Sequence, residues 1–257
     1  MRSHSKKSRA KVTLIFDEIQ WLLTKGNGFV GHLKDFWESL HQSSLLKVVI
    51  SGYSTRFFND HIIGAHATLR GIATRAAISV LPFTLEEVQK YYFPDWSRQE
   101  VALVYMMTGG VPYYLERIPY RQEKNCIRAI NDGIFCEGSI FLEEADNIIK
   151  VELLRQTAAE RIKSLLRHLN FGGKSVSALS RVTGETQDYV LKTMTMLREV
   201  GLIRTRIRPA GDGRKKDETI YFLEDLYLNF YFSILEPHSF KIKKNIRGMI
   251  FSNLIQS

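Results

Sequence analysis

Apolar residues come in short continuous runs at the start of the chain and with helical spacing afterwards. Val12-Thr13-Leu14-Ile15-Phe16 and Leu46-Lys47-Val48-Val49-Ile50 are β-rich runs, with a helical stretch around residues 31–41 between them. A third run, Ala77-Ile78-Ser79-Val80-Leu81, ends at Pro82. Near-continuous apolar strands alternating with helices predict an α/β layer around a buried parallel sheet. From Thr84 to about Gln156 the strand pattern disappears. Thr84 followed by Glu87 reads as a capping box, an N-cap hydroxyl with a carboxylate three residues on, and Gly109-Gly110-Val111-Pro112 interrupts the helices that follow.

A third layout begins near Ala158. Ile162, Leu165, Leu166 and Leu169 mark a helix that stops at Gly172-Gly173. Val176, Leu179 and Val182 mark a short one that stops at Gly184, and Val190, Met194 and Leu197 a third that stops at Gly201. Two strand runs follow, at residues 202–207 and 219–222, joined by a polar loop. Helix, helix, helix and hairpin predict a winged helix. The expected organisation is therefore an α/β region at 1–83, an all-α lid at 84–157, a winged-helix domain at 158–235, and the start of a further region at 236–257.

Asp17 and Glu18 follow the first strand run directly. At the C-terminal edge of a parallel strand, side chains face the crevice where ligands bind. A carboxylate pair there suits phosphoryl transfer, which depends on positioning and charge neutralisation more than on covalent chemistry. A strand that ends in solvated acids would leave the same trace.

The order of motifs narrows the reading. Leu14-Ile15-Phe16-Asp17-Glu18-Ile19-Gln20-Trp21-Leu22 resembles the Walker B segment of prokaryotic and archaeal P-loop ATPases of the AAA+/STAND-like group. Ser51-Gly52-Tyr53-Ser54 is similar to the small-residue stretch ending that group's sensor strand, and Gly109-Gly110-Val111-Pro112-Tyr113-Tyr114-Leu115 to its Gly-Gly-x-Pro-x-Tyr-Leu lid motif. Leu69-Arg70-Gly71-Ile72-Ala73-Thr74-Arg75, with Leu81-Pro82-Phe83 after it, resembles a further family stretch, in which Ile72 stands where an arginine is expected. The resemblance runs in family order over about residues 11–235. It implies a partial RecA-like P-loop sheet, ATP and Mg²⁺ as ligands, and ATP hydrolysis. Asp17 would hold Mg²⁺ through water and Glu18 would polarise the attacking water. Ser51 or Ser54 would read the γ-phosphate, Gly110, Pro112 and Tyr113 would face the base, and Arg70 or Arg75 would be the arginine finger.

The sequence also departs from that family at the phosphate loop. Its 257 residues hold no Gly-x-x-x-x-Gly-Lys-Ser/Thr loop, whose backbone N–H groups cradle phosphates. Gly172-Gly173-Lys174-Ser175 imitates its end, but His168 stands where the first glycine belongs and the segment follows a helix. The expectation is a chain truncated before Walker B that binds ATP weakly, with the missing segment or other subunits as partners.

Charge adds a second theme. The net charge is +9. Residues 160–220 hold thirteen Lys and Arg against seven Asp and Glu, a net +6. Arg204, Arg206 and Arg208 line the expected wing, and Thr186, Gln187, Lys192 and Thr193 lie on the third helix. These are the candidate DNA contacts, for one helix in a groove and the wing over phosphates. The alternative is a non-catalytic winged-helix module for DNA binding or protein interaction. No apolar run reaches the ~20 residues of a membrane span, no signal peptide opens the chain, and Cys126 and Cys136 form no metal spacing. A cytoplasmic protein without membrane contact is expected.

Overall fold

The computed structural model describes residues 11–19, 22, 28–40, 46–52, 58–70, 78–153, 159–170, 172–211 and 216–244. It is a mixed α/β chain with a small parallel sheet and many helices. It divides into two compact units, Met1–Ser79 and Val80–Ser257.

The first unit is built on β1 (Val12–Phe16), α1 (Phe29–Leu40) and β2 (Leu46–Ile50). The strands pair in parallel, with Val12 opposite Leu46 and Phe16 opposite Ile50. A parallel pair needs a crossover, and α1 supplies it. Phe29, Val30, Leu33, Phe36 and Trp37 recur at helical spacing and turn towards a core of Ile19, Leu33, Ile62 and Leu69, which also takes Phe16 and Ile50 from the strands. The sheet is less buried than its composition predicts, for Ile15 is 63% exposed. The third expected strand does not form among the described residues. Ala77 lies outside them, and residues 78–81 are unpaired, with Ile78 90% and Val80 92% exposed. Alternating apolar side chains give strand propensity, but a strand needs a partner's ladder of hydrogen bonds, and none reaches this run.

In the second unit α2 (Leu85–Tyr91) opens with the expected capping box. The Thr84 and Glu87 backbone N–H groups are taken by the side chains of Glu87 and Thr84 at 2.8 and 3.3 Å. A second box, Ser97 with Glu100, opens α3 (Arg98–Thr108). Then come α4 (Pro112–Leu115), α5 (Cys126–Gly133), a 3₁₀ turn at Ile140–Leu142 and α6 (Glu144–Leu153). Helices α7 (Ala159–Leu169), α8 (Val176–Thr183) and α9 (Gln187–Glu199) precede an antiparallel hairpin of β3 (Ile203–Arg208) and β4 (Glu218–Leu223). The chain continues through α10 (Leu226–Phe230), a wide turn at Tyr231–Leu235 and α11 (Glu236–Lys243).

One core runs through this unit, from Val88 and Phe93 through Leu165 and Leu197 to Tyr227 and Leu235. Tyr227 is buried at its centre. Its ring lies 5.0 Å from that of Tyr114 and its hydroxyl donates to the Phe141 carbonyl at 2.7 Å. Burial pushes both phenols far above their usual range. Among the described residues no helix is long and apolar enough to cross a membrane.

Candidate functional site

The register of β1 and β2 brings their C-terminal ends together. The Ser51 N–H donates to Phe16 O at 2.9 Å, the Ile19 N–H to Ser51 O at 3.1 Å, and the Ser51 hydroxyl to the Asp17 carboxylate Oδ1. Asp17 and Glu18 are both exposed. Glu18 has φ 51°, and it is the non-glycine residue with positive φ among those described. Such a backbone costs roughly 1–3 kcal/mol and persists where its surroundings over-determine it. Here the Ser51 hydroxyl holds the Asp17 carboxylate and the Ser51 carbonyl holds the Ile19 N–H, on either side of Glu18.

Mg²⁺ takes one or two protein carboxylates and completes its shell with water and phosphate oxygens. The Asp17–Glu18 pair fits that donor set. Among the described residues no three His, Cys, Asp or Glu side chains converge as a metal site. Arg70 is exposed and donates from Nη1 to the Ala65 carbonyl at 2.6 Å. Ser54 and Arg75 lie outside the described residues.

The stretch from Gly109 to Leu115 belongs to the second unit. Gly109 ends α3 in the left-handed conformation, with φ 63°. Gly110 follows with φ 74°, and its carbonyl accepts from the Phe83 N–H at 2.9 Å. A Cβ at Gly110 would fall 2.1 Å from Phe83 O and 2.8 Å from the Tyr105 ring. The space expected for a flat ligand at this glycine is thus filled by the chain itself. Pro112 starts α4, where a missing N–H costs nothing. Tyr113 is 45% exposed, with the Arg117 guanidinium 4.9 Å from its ring centre. Of the motif's side chains, Tyr113 is the aromatic left open to a planar ligand, while Tyr114 is buried.

Gly173-Lys174-Ser175 proves to be a structural joint. Lys174 bridges to Tyr221 of β4 through paired backbone hydrogen bonds of 3.0 and 2.9 Å. A Cβ on Gly173 would lie 2.4 Å from Ile220 and from the Phe222 ring, and Ser175 caps α8. Gly173 and Lys174 are thus accounted for by the hairpin, and Ser175 by the first turn of α8.

Six of the eleven described Lys and Arg residues of 160–220 are held in ion pairs. Arg161 makes a two-pronged ion pair with Glu185 and stacks 3.8 Å from the Tyr189 ring centre. Arg167 is bidentate to Glu236 at 2.6 and 2.7 Å. Lys163 is buried with its amine 2.8 Å from Asp146. Burial pulls its pKa down, but the Asp146 hydrogen bond and the nearby Tyr231 and Glu160 more than offset that, and the ammonium is retained. Lys192 pairs with Asp188 at 2.8 Å, Arg204 with Glu224, and Arg208 with Glu218 at 3.6 Å. Among the described residues Lys174, Arg181, Arg198, Arg206 and Lys216 have no such partner, and Arg214 and Lys215 lie outside them.

Arg204, Arg206 and Arg208 alternate along β3 and share one face of the hairpin. The guanidinium groups of Arg204 and Arg206 lie 4.9 and 5.5 Å from the Phe222 ring centre. On α9, Thr186 is the N-cap and accepts from the Tyr189 N–H at 3.3 Å. Thr193, expected to reach outward, is 2% exposed, because it falls on the core-facing stripe with Val190, Met194 and Leu197. Gln187 stays exposed and uncommitted. Leu191, 48% exposed, escapes sequence reasoning because a leucine at helical spacing reads as core.

No family model matches the chain. The chain is 22% identical over 235 residues to the uncharacterized protein MJECL04 of Methanocaldococcus jannaschii, covering 91% of this chain and 51% of that one. It thus spans about half the length of that relative. Among solved structures it is similar to the Aeropyrum pernix ORC1 protein in complex with DNA, at 14% identity and a TM-score of 0.40, covering 93% of this chain and 68% of that one. A likeness this loose carries neither a fold nor a function.

Proposed function

We propose that the chain carries the Walker B and sensor side of an ATP site of the AAA+/STAND-like type, joined through a helical lid to a winged-helix module that contacts duplex DNA. The observation that carries the nucleotide reading is the pairing of Asp17 and Ser51 at adjacent ends of two parallel strands, with Glu18 beside them in a strained backbone. Parallel strands deliver functional side chains at their C-terminal edge. In this reading Asp17, oriented by the Ser51 hydroxyl, binds the metal–nucleotide complex, and Glu18 accepts the proton of the attacking water. Mg²⁺ would supply neutralisation of charge on the phosphates.

The 257-residue chain by itself should bind MgATP more weakly than about 1 mM, since a phosphate cradle carries most of the affinity. Titration to saturation followed by backbone NMR is expected to move resonances at Asp17, Glu18 and Ser51. Asp17→Asn should remove the Mg²⁺ dependence of those shifts. Shifts confined to other regions, or none, would overturn the nucleotide reading.

The DNA reading rests on the placement of charge along β3. Arg204 and Arg208 are tied to carboxylates, so Arg206 is the guanidinium of that face ready for a phosphate. Arg206→Ala is expected to weaken duplex binding and to lower the log–log salt slope by about one unit. Adding the other two substitutions should change the slope little. Fluorescence anisotropy at several salt concentrations reads both. Unchanged affinity and slope in the triple variant would leave the module as a connector, which is the competing reading.

A further inference from the structure

The outward face of α9 has an unusual composition for a helix beside a basic hairpin. Asp188 and Lys192 neutralise each other at 2.8 Å. Arg198 and Glu199 stand together at the other end. Beside them Gln187, Leu191 and Thr195 form one row at spacing four, along a single stripe of the helix. The Thr195 hydroxyl donates to the Leu191 carbonyl at 3.0 Å, so the helix backbone holds its polar end. The row therefore consists of an exposed amide, a leucine side chain 48% exposed, and a threonine whose hydroxyl is already bonded.

We infer that this row reads A·T base pairs in the major groove, with Gln187 on adenine and Leu191 and Thr195 on thymine methyl groups. The inference rests on the DNA reading above and adds to it the class of sequence recognised. An amide can bond adenine N6 and N7 together, and apolar side chains meet the thymine methyl, which no other base presents. Residues four apart on a helix are separated by about 6.0 Å along its axis, close to two base-pair steps of about 3.4 Å. Gln187 lies in the first turn of α9, the part of a recognition helix that approaches base edges. Because the row has no net charge, it adds discrimination while Arg206 supplies attraction to phosphate. A protein partner fits this face less well. A stable protein interface needs a wide patch with aromatic or methionine anchors. Here Leu191 is the one large apolar side chain exposed on α9, between an ion pair and two further charges.

The test uses the full chain and three probes: a short alternating A·T duplex, the same duplex with uracil for every thymine, and an alternating G·C duplex. Uracil removes only the methyl groups. Wild-type protein is expected to bind the uracil duplex about fourfold more weakly for each thymine methyl group that the row covers, and the G·C duplex more weakly still. Leu191→Ala should shrink the thymine–uracil difference and leave the salt slope unchanged, with circular dichroism confirming the fold. Because the thymine–uracil comparison is made on wild-type protein, a misfolded variant cannot obscure it. Equal wild-type affinity for the thymine and uracil duplexes would overturn the inference while leaving the phosphate contact of Arg206 standing. Absence of binding to any duplex at low salt would overturn the DNA reading and this inference with it.

Discussion

Replacing Gly110 by alanine is expected to destabilise the Val80–Ser257 unit by about 3 kcal/mol, the sum of left-handed strain and overpacking. The left-handed backbone, with φ 74°, penalises any side chain there. The added Cβ would also enter the space of Phe83 O, 2.1 Å away, and of the Tyr105 ring at 2.8 Å. A carbonyl held by the backbone around the Phe83–Gly110 hydrogen bond cannot withdraw as a flexible side chain would. Gly109→Ala is the internal comparison. It shares the left-handed backbone, with φ 63°, but its nearest neighbour would be the Leu226 Cβ at an ordinary 3.7 Å. It should cost only about 1–2 kcal/mol. Denaturant unfolding of both variants, followed by tyrosine and tryptophan fluorescence, measures the difference. Equal destabilisation would mean that Phe83 can move aside and that packing does not explain the second glycine.

That glycine shows how far a sequence can be read. The Gly-Gly-Val-Pro stretch is legible as a break between helices because glycine and proline act locally. Which glycine has no room for a Cβ depends on Phe83, 27 residues earlier, and no local rule reports that. Both capping boxes are local too, and Ser97-Arg98-Gln99-Glu100 has the same hydroxyl-x-x-Glu pattern that marks Thr84. Residues 78–81 alternate as a strand should, yet pairing is a property of two segments. Similarly, counting charges over residues 160–220 makes the region strongly basic. Asp146, Glu236 and Glu224, which pair with Lys163, Arg167 and Arg204, all lie outside that window. The neighbourhood of Asp17 and Ser51 is legible because two apolar runs each end in polar residues. The hydroxyl-to-carboxylate bond, and the strained backbone at Glu18, are not.

Asp225 is where charge and capping oppose each other, and its two simplest substitutions should diverge. Its carboxylate caps α10, accepting from the Leu228 N–H at 2.7 Å. Burial raises its pKa, and the hydrogen bonds from Leu228 and Tyr227 offset this only in part, so the net shift is upward. Asp225→Ala removes the acceptor and leaves the N–H of the buried Leu228 without it, at a cost of about 1–3 kcal/mol. Asp225→Asn keeps an acceptor oxygen and removes the charge that burial disfavours. The folded carboxyl holds its proton to higher pH than the unfolded one. Its contribution to stability is therefore greatest below the ordinary aspartate range and falls as pH rises through the elevated folded value. The asparagine variant lacks that dependence. It should be at least as stable as wild type at neutral pH, and its relative advantage should shrink as the pH is lowered towards about 4, the ordinary aspartate value. Unfolding midpoints of wild type, Asp225→Asn and Asp225→Ala across that range give the answer. An asparagine variant as unstable as the alanine variant at neutral pH would mean that the charge itself holds the cap. The penalty of burying that charge would then be outweighed by its bonds to the first turn of α10, the helix whose Tyr227 packs against Tyr114.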